Sequence, residues 1–207
     1  MIVTCLAVGD LQANCYIVGD PETKEVAVID PGDEGERIYK HITQNGFSVK
    51  YILLTHGHAD HISGVKYIKE RTNALIAIHQ KESEALIDSR ENLAALMGRE
   101  CIQSPADVLL ADEDTIAVGK HMFVVLYTPG HTQGGICILV DGHLFSGDTL
   151  FLKSIGRTDL PGGDYETLIQ SINTKILPLP EETIVYPGHG PQTTVAEEKT
   201  GNPFLQG

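Results

Sequence analysis

Seven consecutive residues constrain this chain more than any others: Thr55-His56-Gly57-His58-Ala59-Asp60-His61. Four side chains able to bind a metal fall within six positions, directly after the apolar run Tyr51–Leu54. Apolar strands rarely end in such a cluster unless a metal is bound there. On a helix each residue turns about 100°, so His56 and His58 would sit roughly 200° apart. On an extended or looped backbone they point the same way, while the adjacent Asp60 and His61 point elsewhere. The spacing therefore predicts an irregular loop from His56 to His61 that serves two metal ions at once.

Three more candidates follow downstream: His131 in Thr128-Pro129-Gly130-His131-Thr132, Asp148 in Phe145-Ser146-Gly147-Asp148-Thr149, and His189 in Tyr186-Pro187-Gly188-His189-Gly190. Each comes after an apolar strand and a small or turn-forming residue. Glycine lets the backbone bend so that the following side chain tips inward. Taken one at a time these are ordinary turns; the set of three behind the first cluster is what carries weight. His41, His79, His121 and His143 read as structural or solvent-facing. Imidazole and carboxylate donors suit zinc, iron or manganese, and no thiolate enforces a choice. Cys5, Cys15, Cys101 and Cys137 form no C-x-x-C pair and read as free thiols rather than a structural zinc site.

The rest of the chain supplies a frame for these loops. β-branched runs at Ile2–Val8, Cys15–Val18 and Glu25–Ile29 predict an antiparallel meander. Helical spacing follows over Glu34–Asn45, Ile62–Arg71, Lys81–Met97 and Asp164–Leu177. Strands are expected at Leu75–Ile78, Thr115–Val118, His121–Tyr127, Gly135–Val140, His143–Phe145 and Thr183–Tyr186. Strands and helices, then strands and helices again, fit two mixed sheets each covered by helices. At 207 residues with 42% apolar and 21% charged side chains, one domain over 1–207 can bury a full core. Fifteen basic against 28 acidic residues give −13, which argues against a nucleic-acid partner or an anionic membrane surface. No apolar run approaches the roughly 18 residues of a membrane span. The opening Met1–Asp20 lacks the pattern of a secretion signal, so a cytoplasmic location is expected.

The ordered set resembles the metallo-β-lactamase fold and, within it, the short glyoxalase II-like hydrolases. The likeness includes Gln12-Ala13-Asn14-Cys15-Tyr16, Ile29-Asp30-Pro31-Gly32-Asp33, Gly147–Asp159 and Asn202-Pro203-Phe204-Leu205. It implies a four-layer αββα sandwich, α/β in class, with the site along the open edge between two mixed sheets. By this resemblance one metal takes His56, His58 and His131, the other takes Asp60, His61 and His189, and Asp148 bridges them. A water shared by two divalent ions loses its proton near neutral pH and can attack a carbonyl carbon. Asp60 is then placed to orient that water or relay its proton, and a thioester such as S-lactoylglutathione is the expected substrate class. In glyoxalase II enzymes a basic residue at the place of Arg157 holds the glutathione part; alternatively, Arg157 pairs with Asp159 or Asp164. The larger glyoxalase II enzymes add a C-terminal helical domain for which this chain has no room, and they carry tyrosines where Asp159 and the Gly190-Pro191 neighbourhood stand.

A second family competes. Persulfide dioxygenases resemble His56–Gly64 and Gly156-Arg157-Thr158-Asp159, and they use one ferrous ion on the equivalents of His56, His131 and Asp148. The form Pro187-Gly188-His189-Gly190 is the hydrolase-like one. The zinc β-lactamases proper are exported, and a main subclass has cysteine at the place of Asp148. The fold's nucleases carry a large insertion, and its flavodiiron members replace His58 with glutamate.

Overall fold

The computed structural model describes residues 1–206. Strands β1 (Ile2–Val8), β2 (Ala13–Gly19) and β3 (Glu25–Ile29) form the expected antiparallel meander. Strands β4 (Ser48–Leu54), β5 (Leu75–His79) and β6 (Val108–Leu110) then add in parallel, giving one mixed six-stranded sheet in sequence order. Parallel neighbours need a crossover. Here α1 (Gly35–Gln44) links β3 to β4, and α2 (Ala59–Ile62) with α3 (Val65–Thr72) links β4 to β5. A second mixed sheet contains β7 (Thr115–Val118), β8 (His121–Tyr127), β9 (Ile136–Val140), β10 (His143–Gly147), β13 (Ile184–Pro187) and β14 (Thr193–Thr194). A small hairpin of β11 (Leu150–Phe151) and β12 (Ser154–Ile155) follows β10.

Three apolar cores separate four layers. Along β4 the side chains alternate: Ile52 and Leu54 face Ile38, Ile42, Val65 and Ile68 of α1 and α3. Leu53 faces the other way, toward Phe123, Ile138 and Phe145 of the second sheet. On that sheet's far side, Leu144 and Val185 pack under Leu168 of α4 (Tyr165–Ser171), Ile172 and Ile176 just beyond it, and Val195 of α5 (Val195–Gly201). Period-two alternation on the strands and three-to-four spacing on the helices make this αββα sandwich. No helix among the described residues is long and apolar enough to cross a membrane.

Several elements differ from the sequence reading. His56–His61 is not wholly irregular, because Ala59–Ile62 closes one α-helical turn. Lys81–Met97 is not mostly helical; short 3-10 segments at Gln80–Leu86 and Ala94–Met97 are separated by turns. The break has a local cause. Asn92 spends its side chain on backbone groups, and Leu93 adopts a left-handed conformation at φ 66°. The Asp164–Leu177 helix starts where expected, with Asp164 accepting from Thr167 N, but it changes to a π turn at Ile172–Ile176. Strands β6, β11, β12 and β14 are two or three residues long, too short to leave a periodic signal.

Candidate metal centre

Sheet topology brings the candidate ligands to one edge. Strand β9 is antiparallel to both β8 and β10, so β8 and β10 run the same way, and β13 is parallel to β10. The C-terminal ends of β8, β10 and β13 therefore share one edge, and His131, Asp148 and His189 lie just beyond them. The loop after β4 joins this edge from the first sheet, with Ile136 N donating to Thr55 O. A register shift between Phe145 and Gly147, with Gly147 at φ 49°, turns the chain at Asp148. Gly188 is required by crowding: a Cβ there would stand 2.2 Å from Asp148 Oδ1 and 2.7 Å from His61 Cε1.

Three overlapping donor groups result, Asp30 with His56 and His61 being one, and the other two share no residue. His58 Nδ1 lies 3.1 Å from His56 Nε2 and 3.0 Å from His131 Nε2, so three buried ring nitrogens converge. His189 Nε2 lies 3.2 Å from both His61 Nε2 and Asp60 Oδ2. Asp148 stands between the clusters. Its Oδ1 is 3.4 Å from His61 Nε2, and its Oδ2 is 3.7 Å from both His131 Nε2 and His189 Nε2. Asp148 Oδ1 is buried and makes no hydrogen bond. A buried carboxylate oxygen without a partner is costly, and a cation bound among these donors would remove that cost. The seven residues thus fit divalent metal ions in number, atom type and placement.

The ring orientations are fixed from behind. His131 Nδ1 donates to Arg157 O at 2.8 Å, and His189 Nδ1 donates to Leu11 O at 3.1 Å. Both rings therefore present Nε2 to the site. His61 Nδ1 lies 3.1 Å from Asp30 Oδ2, and Asp30 also accepts from Thr55 N and Thr55 Oγ1. Glu82, also buried, accepts from Gly57 N at 2.9 Å and Gly134 N at 2.7 Å, tying the loop after β4 to the loop after β8. Asn14 donates to Pro187 O and Gly190 O and clasps the His189 turn. Neither Asp30 nor Glu82 was picked out as a functional residue in the sequence. Each is a lone carboxylate whose partners lie 25 or more positions away.

The two clusters differ electrostatically. Burial pushes the His56 ring well below its ordinary pKa, and neighbouring rings push it further. Burial takes His58 down to about 3, with His131 and His61 adding to the shift. These imidazoles stay neutral and ready to donate an electron pair. At His61, burial also disfavours charge, but Asp148, Asp30 and Asp60 outweigh it and raise the ring to about 10. Burial opposes ionisation of Asp60 as well, yet the His189, His61 and His58 rings hold its carboxyl below the usual range. At the second cluster the carboxylates of Asp148, Asp30 and Asp60 hold a proton on His61, and a bound metal ion would take that proton's place.

A cleft of about 480 Å³ opens over the clusters, lined by His58, Asp60, His131, Asp148, His189 and Arg157 together with four leucines. Arg157 lies at its wall, and its guanidinium bonds Asp159 through Nε and Nη2, both at 2.8 Å. Asp164 caps α4 instead. Away from the site, His79 stacks on Tyr127, His121 Nδ1 meets Asp141, His143 Nδ1 meets Tyr186 Oη, and His41 lies against Phe47.

The family model for the metallo-beta-lactamase superfamily matches residues 8–189. The chain belongs to the metallo-β-lactamase superfamily. The superfamily's relatives of known sequence include the "Probable metallo-hydrolase YqgX" of Bacillus subtilis, 40% identical and covering 98% of this chain and 96% of that protein. The "Hydroxyacylglutathione hydrolase GloC" of Haemophilus influenzae is 38% identical, covering 99% and 98%. Among solved metallo-β-lactamase-fold structures, the BLEG-1 B3 metallo-β-lactamase superposes with a TM-score of 0.95 at 40% identity over the whole of both chains. TTHA1623, solved in a di-iron-bound form, gives 0.87 at 36% identity, covering 98% of this chain and all of that one. ETHE1 from Myxococcus xanthus gives 0.84 at 31% identity, covering 98% and 84%. The superfamily membership and the His/Asp clusters together make this chain a metal-dependent hydrolase in family and equipment.

Proposed function

We propose that the chain is a binuclear thioesterase of the glyoxalase II type, cleaving a hydroxyacyl-thiol such as S-lactoylglutathione. The observation that supports the binuclear reading is Asp148, within 3.4–3.7 Å of His61, His131 and His189 across the two three-donor clusters and with a buried oxygen that makes no hydrogen bond. His56, His58 and His131 would hold one ion; Asp60, His61 and His189 would hold the other; Asp148 would bridge. Two divalent ions, zinc first with iron or manganese also suited to these donors, supply when bound an acidified water and a Lewis acid for a carbonyl oxygen. The chain's residues do the rest. Asp60 lines the cleft beside the clusters, where its carboxylate would orient the attacking water or relay its proton. The carbonyls of Arg157 and Leu11 hold the His131 and His189 rings in register, so the donors need not reorganise during reaction. A thiolate leaves without strong protonation, so no separate general acid is needed.

Similarity to GloC supports the thioester substrate, and Arg157 at the cleft wall suits an anionic group on the thiol carrier. The four cysteines are free, which suits a reducing compartment such as the cytoplasm. The likeness to ETHE1 favours a second reading, an iron persulfide dioxygenase with one ion on His56, His131 and Asp148. Elemental analysis after loading with excess zinc or iron, run beside assays of thioester hydrolysis and oxygen-dependent persulfide oxidation, separates the two. Two ions per chain and thioester turnover are expected. One iron per chain with oxygen-dependent persulfide oxidation would overturn the proposal in favour of the second reading.

A further inference from the structure

The cleft over the metal ligands is walled by Leu11, Leu93, Leu96 and Leu160. Two of these are far from buried: Leu96 is 72% exposed and Leu11 57%. None of the four belongs to the three apolar cores. Leu93 and Leu160 are half-buried, and four leucines around one cleft, outside every apolar core, form a lining suited to an apolar group.

The segment bearing two of them is built rather than loose. Asn92 is fully buried, and its Nδ2 donates to Ala85 O and Cys101 O, both at 2.7 Å. Its Oδ1 accepts from Ala94 N at 3.1 Å, and its own carbonyl accepts from Ala59 N at 2.9 Å. Ala59 lies between His58 and Asp60, so this residue pins the leucine segment directly to the metal-binding turn. Leu93 is held at φ 66°, ψ 4°, a conformation that branched, bulky residues rarely adopt and that surrounding contacts must enforce. Against Leu93 and Leu96, the alkyl part of an acyl group would shed water favourably, and a longer alkyl part would gain more.

We propose that this cleft ranks its thioester substrates by the alkyl part of the acyl group, and that Leu93 and Leu96 are the residues that do so. The proposal rests on the thioesterase reading, and its test keeps the two apart. The metal-loaded chain is given straight-chain acyl thioesters, acetyl to hexanoyl, on one small neutral thiol. Binding of the corresponding carboxylates, acetate to hexanoate, is followed in parallel by titration calorimetry. In the wild-type chain both kcat/KM and carboxylate affinity should rise about two- to fourfold per added methylene, as expected for partial burial of each CH2. Leu96→Ala and Leu93→Ala should flatten that slope, with the loss in kcat/KM and in carboxylate affinity growing with acyl chain length. Leu96 is exposed, so its variant should keep the wild-type Tm even if Leu93→Ala unfolds. A flat series in the wild-type chain, or an unchanged slope in Leu96→Ala, would overturn the proposal. If no thioester is cleaved while carboxylate affinity still climbs with chain length, the leucine lining stands and the thioesterase reading falls.

Discussion

Asp148 is the residue on which the most depends. With Oδ1 buried and unpaired, it stands at the meeting point of His61, His131 and His189. Asp148→Ala should leave a folded chain that holds fewer than two ions and turns over at most about one-hundredth as fast. Elemental analysis and kcat on the purified variant check this; two retained ions at wild-type rates would end the bridging assignment. Arg157 calls for a different comparison. Its partner Asp159 is largely exposed, and an ion pair in water is weak enough to exchange for a substrate carboxylate. Arg157→Ala should therefore raise KM for an anionic thioester by roughly 10–150-fold, as loss of a charged hydrogen bond predicts, and barely affect a short neutral one. Equal losses on both substrates would make it a residue that only orders its loop. The seven candidate ligands were legible because each sits in a local signature: a dense cluster after a strand, or a glycine turn at a strand end. Asp30 falls within the Ile29–Asp33 stretch that carries part of the family likeness, but with no role attached to it; only the pairing of β3 with β4 brings it to Thr55 and His61.

At the scale of elements, the metal-binding loops are held by polar residues that bridge them. Glu82 is the clearest case. Its two oxygens accept separately from Gly57 N and Gly134 N, one next to His56 and His58, the other three residues past His131. Burial raises its pKa, against the pull of Thr132 and the two backbone donors. Glu82→Gln keeps the shape but turns one acceptor into an NH2 group, which must then face a backbone N–H. Leaving a buried donor unsatisfied costs about 1–3 kcal/mol. The variant should unfold at lower denaturant concentration by that amount and bind metal roughly 10–100-fold more weakly, as loss of an outer support does. Unchanged metal affinity alongside lost stability would show that Glu82 serves the fold alone. Long elements could be read from period because many side chains report on each. The stretch after β5 could not. Its helical spacing is genuine, but the side-chain hydrogen bonds of Asn92 and the left-handed Leu93 override propensity there. Asn14 and Asn202 show why two of the quoted motifs exist: Asn14 clasps the His189 turn, and Asn202 bonds Ser154 O and Glu198, fastening the C-terminal end to the β11–β12 hairpin.

Across the whole molecule, the candidate ligands come from both sheets: His56, His58, Asp60 and His61 follow β4 of the first, while His131, Asp148 and His189 follow strands of the second. Metal binding should therefore clamp the two sheets together at their open edge, beyond what the shared core of Leu53, Phe123 and Phe145 achieves. Anything that binds the folded state alone stabilises it, by about 2.7 kcal/mol at one hundred times its Kd. For a chain of this length each kcal/mol moves Tm by roughly 2–4 °C, so each such ion should add about 5–11 °C. Titrating metal-free protein with zinc and following Tm by calorimetry should give a rise that continues past one equivalent and levels off at higher zinc once both clusters are filled. Chelation with excess EDTA should reverse it. A rise complete at a single equivalent, with no further change at tenfold excess, would mean that the seven residues act as one site, and the hydrolytic chemistry argued from two ions would have to be abandoned.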